Sequence, residues 1–295
     1  MDTAEWIVYD RSLWYDFLLD RVLERRASRL NAEPSDVCET LLGLASGARG
    51  FIFHLDCTIT ERFPSCRQDL IDGLTSAGLI VINHKAVDLR KGTIQAICGD
   101  LLLSTTIATA HGKQDELLIV KTTLNCRGGA ERRLPPRTRE DLGLLYSDTV
   151  ISQEGYRVMP RADVPAQWWD DATLTIERFV SNRSEVYYRV YVCGANVAVA
   201  CAHRPEPIKK MICGATRCVQ FVNLSDGVDH VQLDVPFPMQ DVTRFLGRIG
   251  MEFGTLDVVR DDQPRFYIID ANTTPYWCEE IPGVLDHLRT GLYET

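Results

Sequence analysis

Residues Thr255–Trp277 read TLDVVRDDQPRFYIIDANTTPYW: two short apolar runs around a polar turn that contains a proline. Each run carries one aspartate, Asp257 and Asp270, among residues suited to burial. An unpaired carboxylate in such a strand is costly. If the turn spans Asp261–Pro264, Arg260 faces Arg265 and Asp257 faces Ile268. Asp270 then lies diagonally across on the same sheet face. Asn272 keeps that face, because strand side chains repeat every two residues. Three oxygen ligands thus converge. Magnesium takes oxygen ligands, usually one or two carboxylates together with substrate phosphates. The alternative is a pair of strand-end carboxylates with local hydrogen bonds.

Three further charged positions upstream sit in apolar strands. Lys121 lies in ELLIVKTT, just before Gly128-Gly129 in the basic loop LNCRGGAERR. A lysine there can hold a phosphate as a point charge, and glycine backbone lets N–H groups close on phosphate oxygens. A solvated lysine and a plain turn are the simpler alternative. Glu177 lies in TIERFV and Arg189 in YYRVYVCG. Buried charges need partners, unless both sit on the exposed face of an antiparallel sheet.

The 295 residues suggest about two domains. Hydrophobic residues make up 45% and charged residues 25%, as in a globular protein with a real core. The net charge of −9 gives no general attraction to nucleic acid or to anionic membranes. Ten cysteines include no C-x-x-C pair, and several lie in strand-like runs, where a thiol acts as a small hydrophobe. The opening MDTAEWIVYD has no apolar core of a secretory leader, and no run approaches the roughly 20 apolar residues of a membrane span. These features imply a reducing, cytoplasmic setting with free thiols.

Along the chain, WIVYD (6–10), GFIFHLD (50–56) and LIVIN (79–83) read as strands. Helices are expected over residues 11–30, where Trp14, Leu18 and Val22 share a spacing of four, over 34–47, and over 67–78, where Gly78 closes the helix. Strands alternating with helices indicate a parallel α/β unit. A helix over Ala86–Cys98 follows, then a strand over Glu116–Thr123. Pro135–Pro165 is turn-rich, with SDTVISQE (147–154) as a candidate strand. Strands then follow over 172–180, 185–194, 196–204 and 218–224, with a hairpin turn at Gly194-Ala195-Asn196. In MQDVTRFLGRIG, Val242, Phe245, Leu246 and Ile249 fall on one helical face.

In their order, LLIVKTTLNCRGGAERR, LTIERFV, YYRVYVCG and GTLDVV…FYIIDANTTP resemble the ATP-grasp superfamily, which includes glutathione synthetase, D-alanine–D-alanine ligase and the ribosomal-protein glutamate ligases. The resemblance covers roughly Asn83 to Pro275. It implies an α/β (α+β) fold of two lobes clamping ATP, preceded by a short Rossmann-like pre-grasp unit. The segments would be 1–83 for the pre-grasp unit, 84–180 for the small lobe with the glycine loop, and 181–295 for the large lobe on the metal and substrate side.

The resemblance also implies roles. Lys91 and Lys121 would contact nucleotide phosphates, with Lys85 competing for the first place, and Gly128 and Gly129 would cover them. Glu177 would bond the adenine amino group, and the backbone of Arg178 and Val180 would read the adenine edge. Asp257, Asp270 and Asn272 would hold Mg2+, and Arg189 would stabilise the transferring phosphate or the acyl-phosphate. Two departures stand out. Asp270 occupies a place usually filled by glutamate, and the ribose-binding acid is not clearly placed, with Glu185 beside Ser184 as candidate. The implied activity is an ATP-dependent ligase joining a carboxylate to an amine, both small molecules, through an acyl-phosphate. A homodimer is compatible with it. A small-molecule kinase and a non-catalytic nucleotide-binding scaffold are the alternatives. Arg204, Lys209 and Lys210 either meet an acidic substrate or form a solvated loop.

Overall fold

The computed structural model describes residues 5–11, 17–24, 26–144, 151, 155–208, 214–277 and 280–292. Its first unit is a parallel sheet of β1 (Trp6–Asp10), β2 (Ala27–Asn31), β3 (Gly50–His54) and β4 (Ile80–Ile82), in the order β2-β1-β3-β4. Parallel neighbours need crossovers, supplied by α1 (Leu18–Leu23), α2 (Cys38–Ala45) and α3 (Arg67–Ser76). Every residue of β1 and β3 is buried, which is why both read as unbroken apolar runs.

Strand β2 departs from the sequence reading, which continues a helix through Leu30. Helix α1 stops at Glu24, whose φ is 55°, and the chain returns as an edge strand on β1. An edge strand with no fully buried residue carries no apolar signature. The expectation of ten free thiols is corrected as well. Cys38 and Cys66 form a disulfide, because the packing of α2 on α3 brings their Cα atoms to 6.3 Å across 28 residues of sequence. Cys57, Cys98, Cys126, Cys193, Cys201 and Cys218 are free.

The helix expected from Ala86 begins later, as α4 (Lys91–Asp100), because Arg90 is extended at φ −60°, ψ 145°. Next comes a three-stranded antiparallel sheet, with β5 (Leu117–Thr122) between β6 (Arg157–Pro160) and β7 (Leu174–Arg178). Two 3-10 turns and the short α5 (Pro136–Asp141) follow β5. Of the candidate strand 147–154, only Ile151 is described, and it is helical. Lys209 and Lys210 also lie outside the described residues.

The largest sheet is antiparallel. Its strands are β8 (Val186–Cys193), β9 (Asn196–His203), β10 (Thr216–Asn223) and, beyond a small hairpin of β11 (His230–Gln232) and β12 (Pro236–Pro238), β13 (Phe253–Arg260) and β14 (Phe266–Asn272). Its order is β10-β9-β8-β13-β14. Helix α6 (Met239–Ile249) buries Val242, Phe245, Leu246 and Ile249 as their spacing requires, and ends at Gly250 with φ 71°. Helices α4 and α6 share a core with Val190, Val199, Leu256 and Ile268 on one face of this sheet. On the other, α7 (Val284–Gly291) and Trp277 join Trp6, Leu18 and Tyr191. The first unit and the large sheet are therefore parts of one core. Among the described residues, no helix is long and apolar enough to cross a membrane.

Candidate active site

Strands β13 and β14 pair in a register that shifts once. Arg260 faces Phe266 and Val258 faces Ile268, but Asp257 faces Asp270 and Thr255 faces Asn272. The expected pairing of Asp257 with Ile268 is thereby corrected. Ile269 is the extra residue of a bulge. It turns into the cleft with Asp270, while Ile268 and Ala271 face the core. Without the bulge, Asp270 would oppose Leu256 and point into the core. With it, both carboxylates lie directly opposite one another on the cleft face. Gly254 lets the strand end close in. Its φ is 149°, and a Cβ there would meet the Asn272 carbonyl oxygen at 2.3 Å.

Asp257 also faces Arg189 on the neighbouring β8. The guanidinium grips the carboxylate in a fork: Nε donates to Oδ1 at 2.9 Å and Nη2 to Oδ2 at 3.1 Å. Nε also reaches the Tyr187 hydroxyl at 3.2 Å. Burial opposes the charge on Arg189, but Asp257 outweighs it and holds the guanidinium above its ordinary range. Burial raises the Asp270 carboxyl above its usual range. Asp257 adds to this, and Lys91 works against it.

Lys91, at the start of α4, is 1% exposed. Its Nζ donates to Asn125 Oδ1 at 2.8 Å and stands 4.0 Å from Asp270 Oδ1. Burial works against its charge, and Asp270 overcomes this to raise it. Lys85 is not in the cleft wall: it packs under Gly250.

Across the cleft, Lys121 on β5 and Glu177 on β7 form a buried ion pair, Nζ to Oε2 at 2.7 Å. The other oxygen of Glu177, Oε1, is buried without a partner among the described residues. Beyond Arg178 the chain leaves the sheet. Arg178 N–H donates to Thr106 O at 2.6 Å and Phe179 N–H to Leu117 O at 2.9 Å, whereas Val180 N–H has no backbone acceptor among the described residues. One acceptor and one donor are thus left open on the same wall.

These groups line one cleft between the three-stranded and five-stranded sheets: Lys91, Lys121, Glu177, Arg178, Val180, Asp257 and Asp270. The remaining expected residues lie around it. Arg189 reaches it through Asp257. Asn272 shares the carboxylates' face, and its Oδ1 accepts from Thr274 N–H at 2.8 Å. Glu185 borders the neighbouring depression beside Val180 and Asn182 and pairs with His203 at 2.9 Å. Gly128 and Gly129 follow Cys126 and Arg127, which take φ values of 46° and 60°; Gly128 itself has φ 70°. This loop is tied to the first unit on both sides of the glycines. Asn125 N–H donates to Thr58 Oγ1 at 2.9 Å, and buried Glu131 accepts the Thr58 N–H.

Asn125, Tyr156 and Thr106 were missed by sequence reasoning. Asn125 stands inside the basic loop, three residues before Gly128, and was within reach. Tyr156 lies within the turn-rich segment and Thr106 in the loop after α4; both line the cleft, and no periodicity marks either.

The donor set suits a magnesium ion carried with phosphates. Two facing carboxylates and an amide oxygen supply one side only. No group of three or more His, Cys, Asp or Glu among the described residues forms a cage, and magnesium usually completes its shell with substrate oxygens and water. The charges agree. Lys91, Lys121, Arg178 and Arg189 exceed Glu177, Asp257 and Asp270 by a single positive charge, so most of the charge of a polyphosphate entering this cleft is left to a cation that comes with it.

No family model and no curated protein sequence matches the chain. Solved structures do. ATP-grasp ligase PsnB, complexed with minimal precursor, Mg, and ADP, aligns at a TM-score of 0.52 and 11% identity over 99% of this chain and 97% of that one. Macrocyclase MdnC from Microcystis aeruginosa MRC, bound with precursor peptide MdnA, aligns at 0.52 and 10% over 98% and 99%. The chain has the ATP-grasp fold.

Proposed function

We propose that this protein is an ATP-dependent ligase that joins a carboxylate to an amine through an acyl-phosphate, releasing ADP and phosphate. The observation that carries the reading is the facing pair Asp257–Asp270, flanked by Arg189 and Lys91, in the cleft that also holds Lys121, Glu177 and the open Val180 N–H. The adenine amino group donates to the orphaned Glu177 oxygen, and Val180 N–H donates to the ring edge. Lys121 and Lys91 meet the phosphates, under the loop of Gly128 and Gly129, and Glu185 receives the ribose. Asp257, Asp270 and Asn272 would hold magnesium, which supplies charge neutralisation for the phosphate oxygens when bound.

A substrate carboxylate oxygen attacks the γ-phosphorus, and the β–γ bridging P–O bond breaks to release ADP. An amine then attacks the acyl carbon, and the C–O bond to phosphate breaks. The chain's part is positioning and charge stabilisation. Arg189 can fork onto planar oxygens, and buried Lys91 presents one fixed positive charge. In this reading the segments 1–83, 84–180 and 181–295 are the pre-grasp unit, the ATP-binding lobe with the glycine loop, and the lobe on the metal and substrate side. PsnB and MdnC are bound with precursors, so a carboxylate carried on a peptide falls within the proposal alongside amino acids. Cytoplasmic ATP fits the same reading.

The test is an ADP-release screen over carboxylates paired with amines, read by mass spectrometry. With an oxygen-18 carboxylate, one labelled oxygen is expected in inorganic phosphate. A stable phosphorylated product without free phosphate would make the protein a kinase. ATP binding with neither outcome would make it a scaffold.

A further inference from the structure

Both oxygens of Asp257 are already occupied by Arg189, at 2.9 and 3.1 Å. A carboxylate committed to a forked guanidinium is a poor ligand for a divalent cation, because the two positive groups compete for the same lone pairs. The facing residue Asp270 needs compensation too, and Lys91 stands 4.0 Å from it. The two carboxylates therefore tolerate each other here only because each has its own cation.

The two cations are held differently. Lys91 is anchored by Asn125 and is 1% exposed. The Arg189 side chain is 15% exposed, and its Nη1 makes no hydrogen bond among the described residues. Part of the guanidinium's donor set is thus unused, at the edge of the cleft where phosphates would lie.

We propose that Arg189 is the resident counter-ion of the metal seat. A divalent cation and a nucleoside polyphosphate load together by exchange, the guanidinium giving up Asp257 and passing to phosphate oxygens. The inference rests on the nucleotide-and-metal reading above. The exchange makes metal uptake conditional. A bare cation must evict a bidentate arginine and leave it without a partner, at a cost typical of breaking a buried charged pair. A cation arriving with a polyphosphate brings the guanidinium its new partner. Metal and nucleotide affinities are then coupled reciprocally.

Mn2+ serves as the probe, its binding to the full chain followed by electron paramagnetic resonance with and without ADP. Wild type is expected to take up Mn2+ weakly alone and strongly with ADP. Arg189→Met frees Asp257 and is expected to bind Mn2+ alone at least about tenfold tighter than wild type, a gain of about 1.4 kcal/mol. Arg189→Lys, which cannot reproduce the fork, is expected to fall between them and carries the test if the methionine variant does not fold. Adding Asp257→Asn to Arg189→Met should remove the gain. Equal Mn2+ affinities for wild type and both arginine variants without ADP, with uptake in all three once ADP is added, would overturn the exchange and leave the metal reading standing. No uptake by wild type even with ADP would overturn both.

Discussion

Two ion pairs face each other across the cleft, and they are held in opposite ways. Lys121 and Glu177 are diagonal neighbours on β5 and β7, with side chains 6% and 1% exposed. Arg189 and Asp257 are directly opposed on β8 and β13, with side chains 15% and 17% exposed. The first pair lies almost fully buried in the cleft wall, and its members are each other's main compensation. The second opens on the space where phosphates would sit. The contrast teaches that burial fixes one pair in place on the cleft wall, whereas exposure leaves the other able to trade its partner.

The sharpest way to break this contrast is Lys121→Ala. It leaves the Glu177 carboxylate buried and uncompensated, and removal of one partner of such a pair costs roughly 3–5 kcal/mol. Denaturant unfolding should show that loss, with ATP binding weakened at least about tenfold. The double variant Lys121→Met with Glu177→Leu should recover most of the stability and none of the ATP binding. A stability loss below about 1 kcal/mol for Lys121→Ala would mean that the first pair is as replaceable as an exposed one.

Asp270→Asn tests the open side. Turnover with magnesium should fall by about 100-fold or more, roughly 2.7 kcal/mol in the barrier, while the fold survives the near-isosteric change. Stability should move the other way, with a definite pH dependence. Burial raises the folded-state value of Asp270, whereas an unfolded aspartate titrates near about 3.9. Above the raised value, the charged carboxylate weakens the fold. As pH falls through that value towards the ordinary one, the penalty disappears. In chelator, Asp270→Asn should therefore be more stable than wild type at pH 7, and the advantage should vanish in acid. Equal melting temperatures at pH 7, or an advantage that grows in acid, would show that Asp270 is better compensated by Lys91 than the geometry implies.

The smallest effect is expected at the rim. Glu185 is half-exposed and paired with His203, and exposed pairs contribute about 1 kcal/mol or less. Glu185→Gln should leave stability unchanged and shift the ATP dissociation constant by no more than about threefold, as read by calorimetry. A tenfold loss would move ribose binding from the margin of the cleft to its centre.

Much of this arrangement was legible in the sequence. β1, β3, β5, β8, β9, α3 and α6 announced themselves because each buries a whole strand or a full helical stripe, and burial imposes a pattern on residue type. The charged residues Lys121, Glu177, Arg189, Asp257 and Asp270 were conspicuous for the same reason, as charges inside apolar runs. Helix α4 was expected five residues early, since Ala86 and Leu89 belong to its core while lying in an extended lead-in. β2 went unseen, because its backbone pairs with β1 while its side chains stay largely at the surface.

By itself, then, the sequence determined which segments are buried, which charges must find partners inside, and in what order the elements meet. The tertiary structure decided how those charges pair. The bulge at Ile269 turns Asp270 to face Asp257, and a one-residue shift leaves no trace in composition or period because either register buries Ile268 or Ile269 equally well. Cys38 found Cys66, Lys91 found Asn125, and Glu131 found Thr58 only through packing. Partners distant in sequence meet when the cores join, and no local pattern encodes them.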